Sequence, residues 1–330
     1  MMLTIAIITR KRPEFLYECL ASIYRQTTKD FGVLVIDNDR DKTAQPVYEH
    51  YWVIKVLPIA YVHEPVPGYS NARNCALNNC NTQFIGFVDD DCVLDKNWVE
   101  QGMAAINRCR SAFIVGRSIE SQSEKLFAVV EKYFIYDIMP VNFYDKETHE
   151  IRHEKLDTKN LILDNHLLKA HNVYFDNRFN LRGGEDVDLG LQIKYKNLKG
   201  HYNENMVVYH KEKTTYKKFI NKAFNYGYSG YNLYHKWHNA NECRGWANYT
   251  WFRFWNIISW KHSLVYSLVK LKHRNLFRIA YFLFLTRMFF HTFLKGALES
   301  KKFFREFKTA GMKSGNVFNA LKTTDKLPMK

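Results

Sequence analysis

Short apolar runs recur along the first part of the chain, at intervals that leave room for helices between them. They are rich in Ile, Val and Phe and cover residues 3–9, 32–37, 59–64 and 84–89. The segment between the first two runs opens with a proline suited to a first helical turn and carries its apolar residues on one stripe. Strands that alternate with helices in this way predict an α/β fold with a mostly parallel, Rossmann-like sheet.

The composition indicates a folded chain with two physically different parts. The 330 residues are long enough for one large domain or two smaller ones, and 46% hydrophobic residues exclude general disorder. Residues 1–210 hold 25 basic against 28 acidic side chains, whereas residues 211–330 hold 23 against 5, a net charge of +18. The second part also carries five of the seven tryptophans, so its positive charge is interleaved with aromatic rings.

The cysteines and the apolar segments bear on the compartment. The six cysteines include no CxxC pair, which favours reduced thiols in a cytosolic protein. The start, MMLTIAIITRKR, lacks the features of a signal peptide and is interpreted as a first strand. Residues 279–294 are interrupted by Arg287 and fall short of the roughly 20 apolar residues that span a bilayer. No ordinary transmembrane helix is therefore expected.

Ligands of a parallel α/β sheet bind at the carboxyl ends of its strands, so the residues there are the first candidates for a site. The turn after the first strand, TRKRPEF, has no glycine of a GxGxxG fingerprint, and no GxxxxGK[ST] loop occurs. These absences argue against dinucleotide-binding and P-loop enzymes. The histidines show no HExxH or paired spacing, so a zinc hydrolase is not supported either.

Three successive carboxylates, Asp89–Asp91, follow the fourth apolar run. Such a cluster is unfavourable unless a cation or hydrogen-bond donors compensate it, and Mg²⁺ or Mn²⁺ would do so while bridging to substrate phosphates. A solvated acidic loop is the equally weighted alternative. His210, which ends the apolar run 205–211, is either a further metal ligand or a structural histidine.

A second acidic cluster lies at residues 182–196. Two glycines precede Glu185 and Asp186, and an amphipathic helical pattern follows. Acidic side chains in a first helical turn are favourable to the helix dipole in any protein. The cluster alone therefore indicates either ordinary helix-start chemistry or a catalytic carboxylate.

Taken in order, seven segments of the chain resemble the family 2 glycosyltransferases. They are IAIITRKRPEFLYECLASIYRQT at 5–27, VIDN at 35–38, EPVPGYSNARNCAL at 64–77, FVDDDC at 87–92, TKN at 158–160, FDNRFNLRGGEDVDLGL at 175–191 and VVYHK at 207–211. The resemblance implies a GT-A fold with helices on both faces of the sheet. A catalytic domain would span residues 1–212, with a nucleotide-binding half at 1–120 and an acceptor half at 121–212, before a helical extension at 213–330.

The resemblance also assigns residues to the donor, a nucleoside diphosphate sugar and most readily a UDP-sugar. Thr9 and Asp37 would hold the uracil with Arg73 nearby, and Asp89 and Asp90 would lie at the ribose and the sugar. The substrate-binding positions that it implies are Thr9, Arg10, Asp37, Arg73, Asp89, Asp90 and Asn160. The start ITRKR departs from the commoner PTYNR form, and the absence of a QxxRW motif argues against a processive synthase.

The catalytic roles follow from the same resemblance. Asp91 would bind Mn²⁺ or Mg²⁺ on the diphosphate and His210 would complete the coordination. Asp186 would be the general base, with Glu185 beside it. Charge that develops on a departing diphosphate is stabilised by a metal, and an acceptor hydroxyl needs a base because of its high pKa. A direct displacement of this kind inverts the anomeric configuration.

The basic, aromatic extension is interpreted as helices at about 217–237, 246–274 and 277–298 that associate with an anionic membrane surface. Packing on the catalytic domain or on a second copy of the chain is the alternative, and nucleic-acid binding is not expected because the extension lacks RNP-like motifs. The preferred hypothesis is a hexose-transferring enzyme on the cytoplasmic face of the membrane, acting on a glycan or a lipid-linked oligosaccharide. A catalytically inactive assembly partner and a nucleotidyltransferase are the other hypotheses.

Overall fold

The computed structural model describes residues 2–55, 57–120, 125–133, 144–151, 156–180, 182–211, 215–237, 263–265, 267–268 and 276–309. In chain order the helices and strands are β1 (Leu3–Thr9), α1 (Pro13–Tyr24), β2 (Phe31–Asp37), α2 (Gln45–Ile54), β3 (Ile59–His63), α3 (Tyr69–Asn79), β4 (Phe84–Asp89), β5 (Cys92–Leu94), α4 (Trp98–Cys109), β6 (Phe113–Glu120), α5 (Leu126–Lys132), β7 (Asn160–Asp164), α6 (Asn165–Ala170), α7 (Glu185–Tyr195), β8 (Gly200–His210), α8 (Tyr216–Trp237) and α9 (Leu276–Thr309). The four predicted strands agree with β1 to β4 to within one residue.

The chain forms two compact units. The first comprises Met1–Gln122, Val141–Asp176 and Glu185–Lys213, and the second comprises Ser123–Pro140, Asn177–Gly184 and Thr214–Lys330. The second unit therefore takes in two stretches that precede residue 213 in the sequence. The division into a catalytic domain and an extension at residue 213 remains a prediction.

The first unit is built on one sheet with the strand order β3-β2-β1-β4-β7-β6-β8-β5. Strands β1 to β4 pair in parallel, as the crossover helices between them require. The other half of the sheet is mixed, because β7 runs antiparallel to both of its neighbours and β5 runs antiparallel to β8. The parallel character expected from the sequence thus holds for β1 to β4.

Two hydrophobic cores cover the two faces of this sheet. Successive side chains of a strand point to opposite faces, so Leu3 and Ile5 of β1 join one core and Ala6 joins the other. Helices α1 and α4 contribute to the first core, and α3 and α7 contribute to the second. The expected helices on both faces are therefore present, and the strand ends between the two cores remain available for a site.

The second unit has a core of its own. Helices α5, α8 and α9 bury an aromatic and aliphatic set of side chains comprising Val130, Tyr133, Phe219, Ala223, Phe282, Leu285 and Phe289. The first and third predicted helices of the extension correspond to α8 and α9, while most of the second lies outside the described residues. Among the residues that the structure describes, no helix is long and apolar enough to cross a membrane.

Candidate functional site

Strands β1, β2 and β4 end side by side. Their parallel register pairs Thr9 with Asp37 and Ile8 with Asp89. The hydroxyl of Thr9 donates a hydrogen bond of 2.8 Å to Asp90, the residue that follows β4. The register therefore brings three predicted positions to one edge of the sheet, although they are far apart in the sequence.

Arg12 neutralises the acidic segment after β4. Its Nε and Nη2 lie 3.1 and 2.5 Å from the two carboxylate oxygens of Asp90, and its Nη1 donates to Asp91 Oδ2 at 2.8 Å. Both aspartates are almost fully buried, so the charge of the guanidinium replaces the water that they have lost. The compensating cation in this structure is therefore an arginine that the sequence did not single out.

His210 lies on the opposite side of Asp91. The antiparallel pairing of β5 with β8 sets Cys92 opposite His210, and the parallel pairing of β6 with β8 sets Glu120 opposite the same residue. His210 Nε2 consequently lies 3.3 Å from Asp91 Oδ1, and its Nδ1 lies 2.5 Å from Glu120 Oε2. The sheet thus holds the imidazole between two carboxylates.

The charges around His210 set its protonation. Although burial opposes the shift, the contacts with Asp91 and Glu120 raise the pKa of His210 to about 10. Burial likewise opposes the lowering at Glu120, where His210 and Lys159 bring the pKa to about 2. Without a metal the imidazole is therefore protonated at neutral pH, and a metal would have to replace that proton on Nε2.

Arg73 joins the segment after β4 to the start of α7. Its Nη1 lies 2.7 Å from Glu185 Oε1, and its Nη2 lies 3.6 Å from Asp89 Oδ1. Asp186 follows Glu185 in the first turn of α7, is only partly buried, and accepts a hydrogen bond from the amide of Val187. The two acidic clusters of the sequence are therefore parts of one site, with Arg73 between them.

Glu185 is almost completely enclosed. Its burial raises the pKa to about 7, and the neighbouring Asp186 acts in the same direction, while Arg73 opposes the shift. One of its oxygens, Oε2, has no hydrogen-bond partner within the described part of the chain. Glu185 thus orients Arg73, while its burial makes the ionised form of the Glu185 carboxylate unfavourable.

Three predicted substrate-binding residues differ in how far the protein itself engages their side chains. The carboxylate of Asp37 is fully buried and accepts hydrogen bonds from the amides of Asp39 and Ala44 and from the hydroxyl of Tyr61. Arg10 is exposed at the end of β1. The structure therefore engages Asp37 in shaping the loop after β2.

Asn160 is the third of these residues, and it lies inside the sheet. Its amide accepts a hydrogen bond from Trp98 Nε1 and donates to the carbonyls of Arg117 and Met206. The pairing of β6 with β8 shifts register between Gly116 and Arg117. The hydrogen bonds from Asn160 therefore satisfy backbone carbonyls that the irregular strand pairing leaves without a backbone donor. Asn160 begins β7 opposite Val88, one residue before the end of β4, but its buried amide is engaged by these partners.

The donor set fits a divalent cation that shares its coordination with a substrate. Asp91 Oδ1 has no partner with hydrogen-bond geometry among the described residues and faces the His210 imidazole. A carboxylate oxygen and an imidazole nitrogen are suitable ligands for Mn²⁺. Glu120 contacts the other ring nitrogen of His210, Nδ1, and orients the ring, as carboxylates behind a ligating histidine do in many metal sites. No group of three or more His, Cys, Asp or Glu side chains in the described ranges is preassembled for a metal. Phosphate oxygens would have to supply the other ligands.

Sequence reasoning missed residues that complete this site. Glu120 shows no local motif, because it reaches His210 only through the pairing of β6 with β8. Lys159 stands in the quoted segment TKN, and its ammonium lies 3.2 Å from Glu120 and 2.9 Å from Asp157. For Arg12 the available signal was a basic residue immediately before the helix-starting Pro13, close to the end of β1.

An acidic segment at the end of β4, a facing histidine and an acidic helix start on a Rossmann-like sheet are the arrangement that the resemblance to the family 2 glycosyltransferases implied. The model of the family described as glycosyl transferase family 2 matches residues 4–169, half of the chain. The chain belongs to this family.

Two curated bacterial relatives match parts of the chain. The succinoglycan biosynthesis protein ExoM of Rhizobium meliloti is 31% identical over 115 residues, which cover 34% of this chain and 37% of that protein. The glycosyltransferase GlyA of Streptococcus pneumoniae is 24% identical over 144 residues, which cover 44% of this chain and 20% of that protein. The chain therefore matches about a third of the length of ExoM and a fifth of that of GlyA.

Solved structures share the fold over most of the chain. TarS 1–349 of S. aureus in complex with UDP-GlcNAc superposes with a TM-score of 0.55 at 15% identity, covering 95% of this chain and 93% of that one. The mannosyltransferase PcManGT of Pyrobaculum calidifontis, in complex with GDP-Man and Mn²⁺, gives 0.62 at 13% identity, covering 90% and 86%. At these identities the likeness confirms the GT-A fold expected from the sequence.

Proposed function

We propose that the protein transfers a sugar from a nucleoside diphosphate sugar to a hydroxyl group of a glycan or of a lipid-linked oligosaccharide. The observation that carries the proposal is Arg73, which links the acidic segment after β4 to the acidic start of α7. A displacement at an anomeric carbon needs a charge-stabilised leaving group and a base for the incoming hydroxyl. The acidic segment at one end of this link supplies residues that stabilise the leaving group, and the start of α7 at the other end supplies a base.

Asp186 is proposed as the general base of an inverting displacement. It is partly buried in the first turn of α7, next to the buried Glu185. In the proposed step the acceptor oxygen bonds to the anomeric carbon, its proton passes to Asp186, and the bond to the nucleoside diphosphate breaks. Glu185 serves to hold Arg73, which in turn positions Asp89 beside the donor.

Asp91 and His210 are proposed to hold Mn²⁺ or Mg²⁺. When bound, the cation would supply positive charge to the departing diphosphate. Arg12 forms ion pairs with Asp90 and Asp91 and therefore adds a second positive charge at the same edge of the sheet. Thr9 and the loop shaped by Asp37 are proposed to receive the nucleoside, and a UDP-sugar is the preferred donor, supported by the complex of TarS with UDP-GlcNAc.

The acceptor and location are proposed from the relatives and from the charge of the chain. ExoM is named for succinoglycan biosynthesis, which supports a surface polysaccharide or its lipid-linked precursor as the acceptor. The net charge of +18 in residues 211–330 supports a position on the inner face of the cell membrane. Self-association of the chain is compatible with this arrangement.

Donor binding and turnover test the proposal. Purified protein would be titrated by calorimetry with UDP-, GDP- and dTDP-sugars, with and without Mn²⁺, and donor hydrolysis would be followed separately. We expect one donor to bind in a metal-dependent way, Asp91→Asn to lose that dependence, and Asp186→Asn to keep donor binding while losing turnover by about a thousandfold or more, because only the proton acceptor is removed.

Glu204→Gln provides the matched control, since Glu204 is an exposed carboxylate on β8, the strand that carries His210. It should bind and turn over the donor as the wild type does. Failure of every nucleotide sugar to bind under any metal condition would contradict the proposal and favour an inactive assembly partner. Undiminished turnover in Asp186→Asn would remove the assigned base.

A further inference from the structure

Helix α9 exposes an aromatic ladder over its first three turns. Phe277, Tyr281 and Phe284 are 76%, 41% and 60% exposed, and Leu276 beside them is 80% exposed. Their spacing of three and four residues puts them on one face of the helix. Neighbouring rings in the row lie 6.4 Å apart and within 17° of parallel. The opposite face of α9 packs in the core of the second unit, so this row is the outer face of a well-anchored helix.

The same face becomes basic farther along the helix. Continuing at helical spacing, the exposed positions include Arg287, Lys295, Lys302 and Arg305. The whole of α9 holds seven basic side chains and two acidic ones. Leu298 and the acidic Glu299 are exposed along the same stretch. The outer face of α9, a helix about 50 Å long at 1.5 Å per residue, is therefore aromatic at its start and predominantly basic thereafter.

We propose that this face of α9 binds the surface of an anionic lipid bilayer, with the aromatic ladder at the boundary between headgroups and acyl chains and the basic turns on the lipid phosphates. Aromatic rings are favoured at that boundary, and basic side chains gain from the negative potential of the headgroups. The proposal deepens the membrane location given above and rests on that part of the proposed function, but not on sugar transfer.

Charge complementarity favours a lipid surface over a second copy of the chain. Two copies pairing through this face about a twofold axis would bring the basic turns against one another or against the aromatic ladder. The first arrangement is repulsive, and the second sets the basic turns against aromatic rings, where a bilayer offers a continuous negative layer. An anionic bilayer supplies both an apolar layer and a negative layer to one helix lying in its plane.

Co-sedimentation of the full chain with vesicles tests the proposal. We expect the wild type to sediment with vesicles of phosphatidylcholine and phosphatidylglycerol at roughly seven to three, to bind pure phosphatidylcholine about tenfold less, and to lose much of its binding at about 0.5 M salt. The double variant Phe277→Ser and Phe284→Ser should bind the anionic vesicles about tenfold or more weakly, because both rings leave the interface. Arg287→Gln with Lys302→Gln should weaken binding about tenfold and reduce its salt dependence.

The control is Val53→Ser with Tyr195→Ser, because both residues are 67% exposed on the first unit and lie away from α9 in the sequence. This variant should sediment as the wild type does. Donor binding, measured in parallel by calorimetry, should be unchanged in every variant, so that a failure of the membrane proposal is distinguishable from a failure of the enzymatic one. Wild-type sedimentation of the Phe277/Phe284 variant would overturn the proposal. So would concentration-dependent dimerisation that this variant abolishes without any change in vesicle binding.

Discussion

Arg12 shows how a single side chain can organise an acidic site. Its guanidinium directs three nitrogen atoms at Asp90 and Asp91, which are buried and adjacent in the chain. Two carboxylates in that position repel each other unless a cation lies between them. Only a planar, multidentate group can contact both at once, so a lysine could not reproduce the arrangement.

We predict that Arg12→Ala lowers the free energy of unfolding by about 1 to 3 kcal/mol, less than for a fully buried pair because the arginine is 36% exposed. Arg12→Lys should recover only part of the loss, since its single ammonium cannot contact both carboxylates. Urea unfolding at neutral pH measures both effects. Arg10→Ala, an exposed arginine in the same loop, is the control and should leave stability unchanged; equal stability of all three variants would contradict the prediction.

Glu185 gives the protein a specific pH dependence. Its pKa is raised from 4.5 to about 7, chiefly by burial, so the folded state keeps a proton that the unfolded state has already released. Between about pH 4.5 and pH 7 the folded state therefore binds more protons, and its stability falls as the pH rises through that interval. Above pH 7 both states are ionised and the contribution is constant.

We predict that wild-type stability declines by up to about 3 kcal/mol more than that of Glu185→Gln between pH 4.5 and pH 7, since each pKa unit corresponds to about 1.4 kcal/mol. Denaturant unfolding across this range measures the difference between the two slopes. The comparison uses slopes because the variant also leaves Arg73 with a weaker partner. If the free energies of unfolding of the two proteins changed with pH in parallel, Glu185 would be ionised in the folded state over the whole of this interval, and the prediction would be wrong.

At the scale of the elements, glycine decides how closely α8 and α9 pack. A Cβ atom at Gly227 would lie 1.8 Å from the carbonyl oxygen of Phe293, and one at Gly296 would lie 2.1 Å from that of Phe224. The backbone of each helix is thus in direct contact with a glycine of the other helix. Neither contact can be relieved by rotating a side chain, because the atoms that would clash belong to the backbone.

We predict that Gly227→Ala lowers the free energy of unfolding by about 2 kcal/mol or more, as overpacking against a rigid neighbour does. Gly230 lies one turn farther along α8, where an added Cβ would have its nearest neighbour, Phe293 Cζ, at 4.0 Å. Gly230→Ala should therefore be neutral or stabilising by up to about 1 kcal/mol, through helix propensity. Thermal unfolding of the pair measures the contrast, and similar shifts for both variants would refute close packing at Gly227.

At the scale of the whole molecule, the local patterns of the sequence predicted strands β1 to β4 well. The apolar runs that became β1, β2 and β4 are buried on both faces, and such strands are recognisable without knowledge of their partners. Strand β3 lies at the edge of the sheet and is only partly buried. Helix α1 begins at the proline that the sequence indicated, and it buries Leu16, Leu20 and Ile23 of its apolar stripe, whereas Phe15 is only partly buried. The catalytic and metal-binding roles of Asp186, Asp91 and His210 remain predictions.

The mixed half of the sheet could not be predicted in the same way. The positions of β6 and β7 between β4 and β8 depend on pairing between segments that are far apart in the chain, and no local pattern encodes that pairing. The same pairing decides the surroundings of His210, because Glu120 and Asp91 approach it from two neighbouring strands. It also places Asn160 inside the sheet, at the irregular step after Gly116.

The sequence by itself determined that this chain forms an α/β fold with acidic residues at its strand ends, because apolar runs and helical periodicity are local properties of the residues. The resemblance of its seven ordered segments indicated family 2. Only the tertiary structure decided which cation meets which carboxylate: Arg12 on Asp90 and Asp91, Arg73 between Asp89 and Glu185, and Lys159 on Glu120. The reason is physical. Charge pairing depends on distances of a few ångströms between side chains, and those distances are fixed by the register of the sheet.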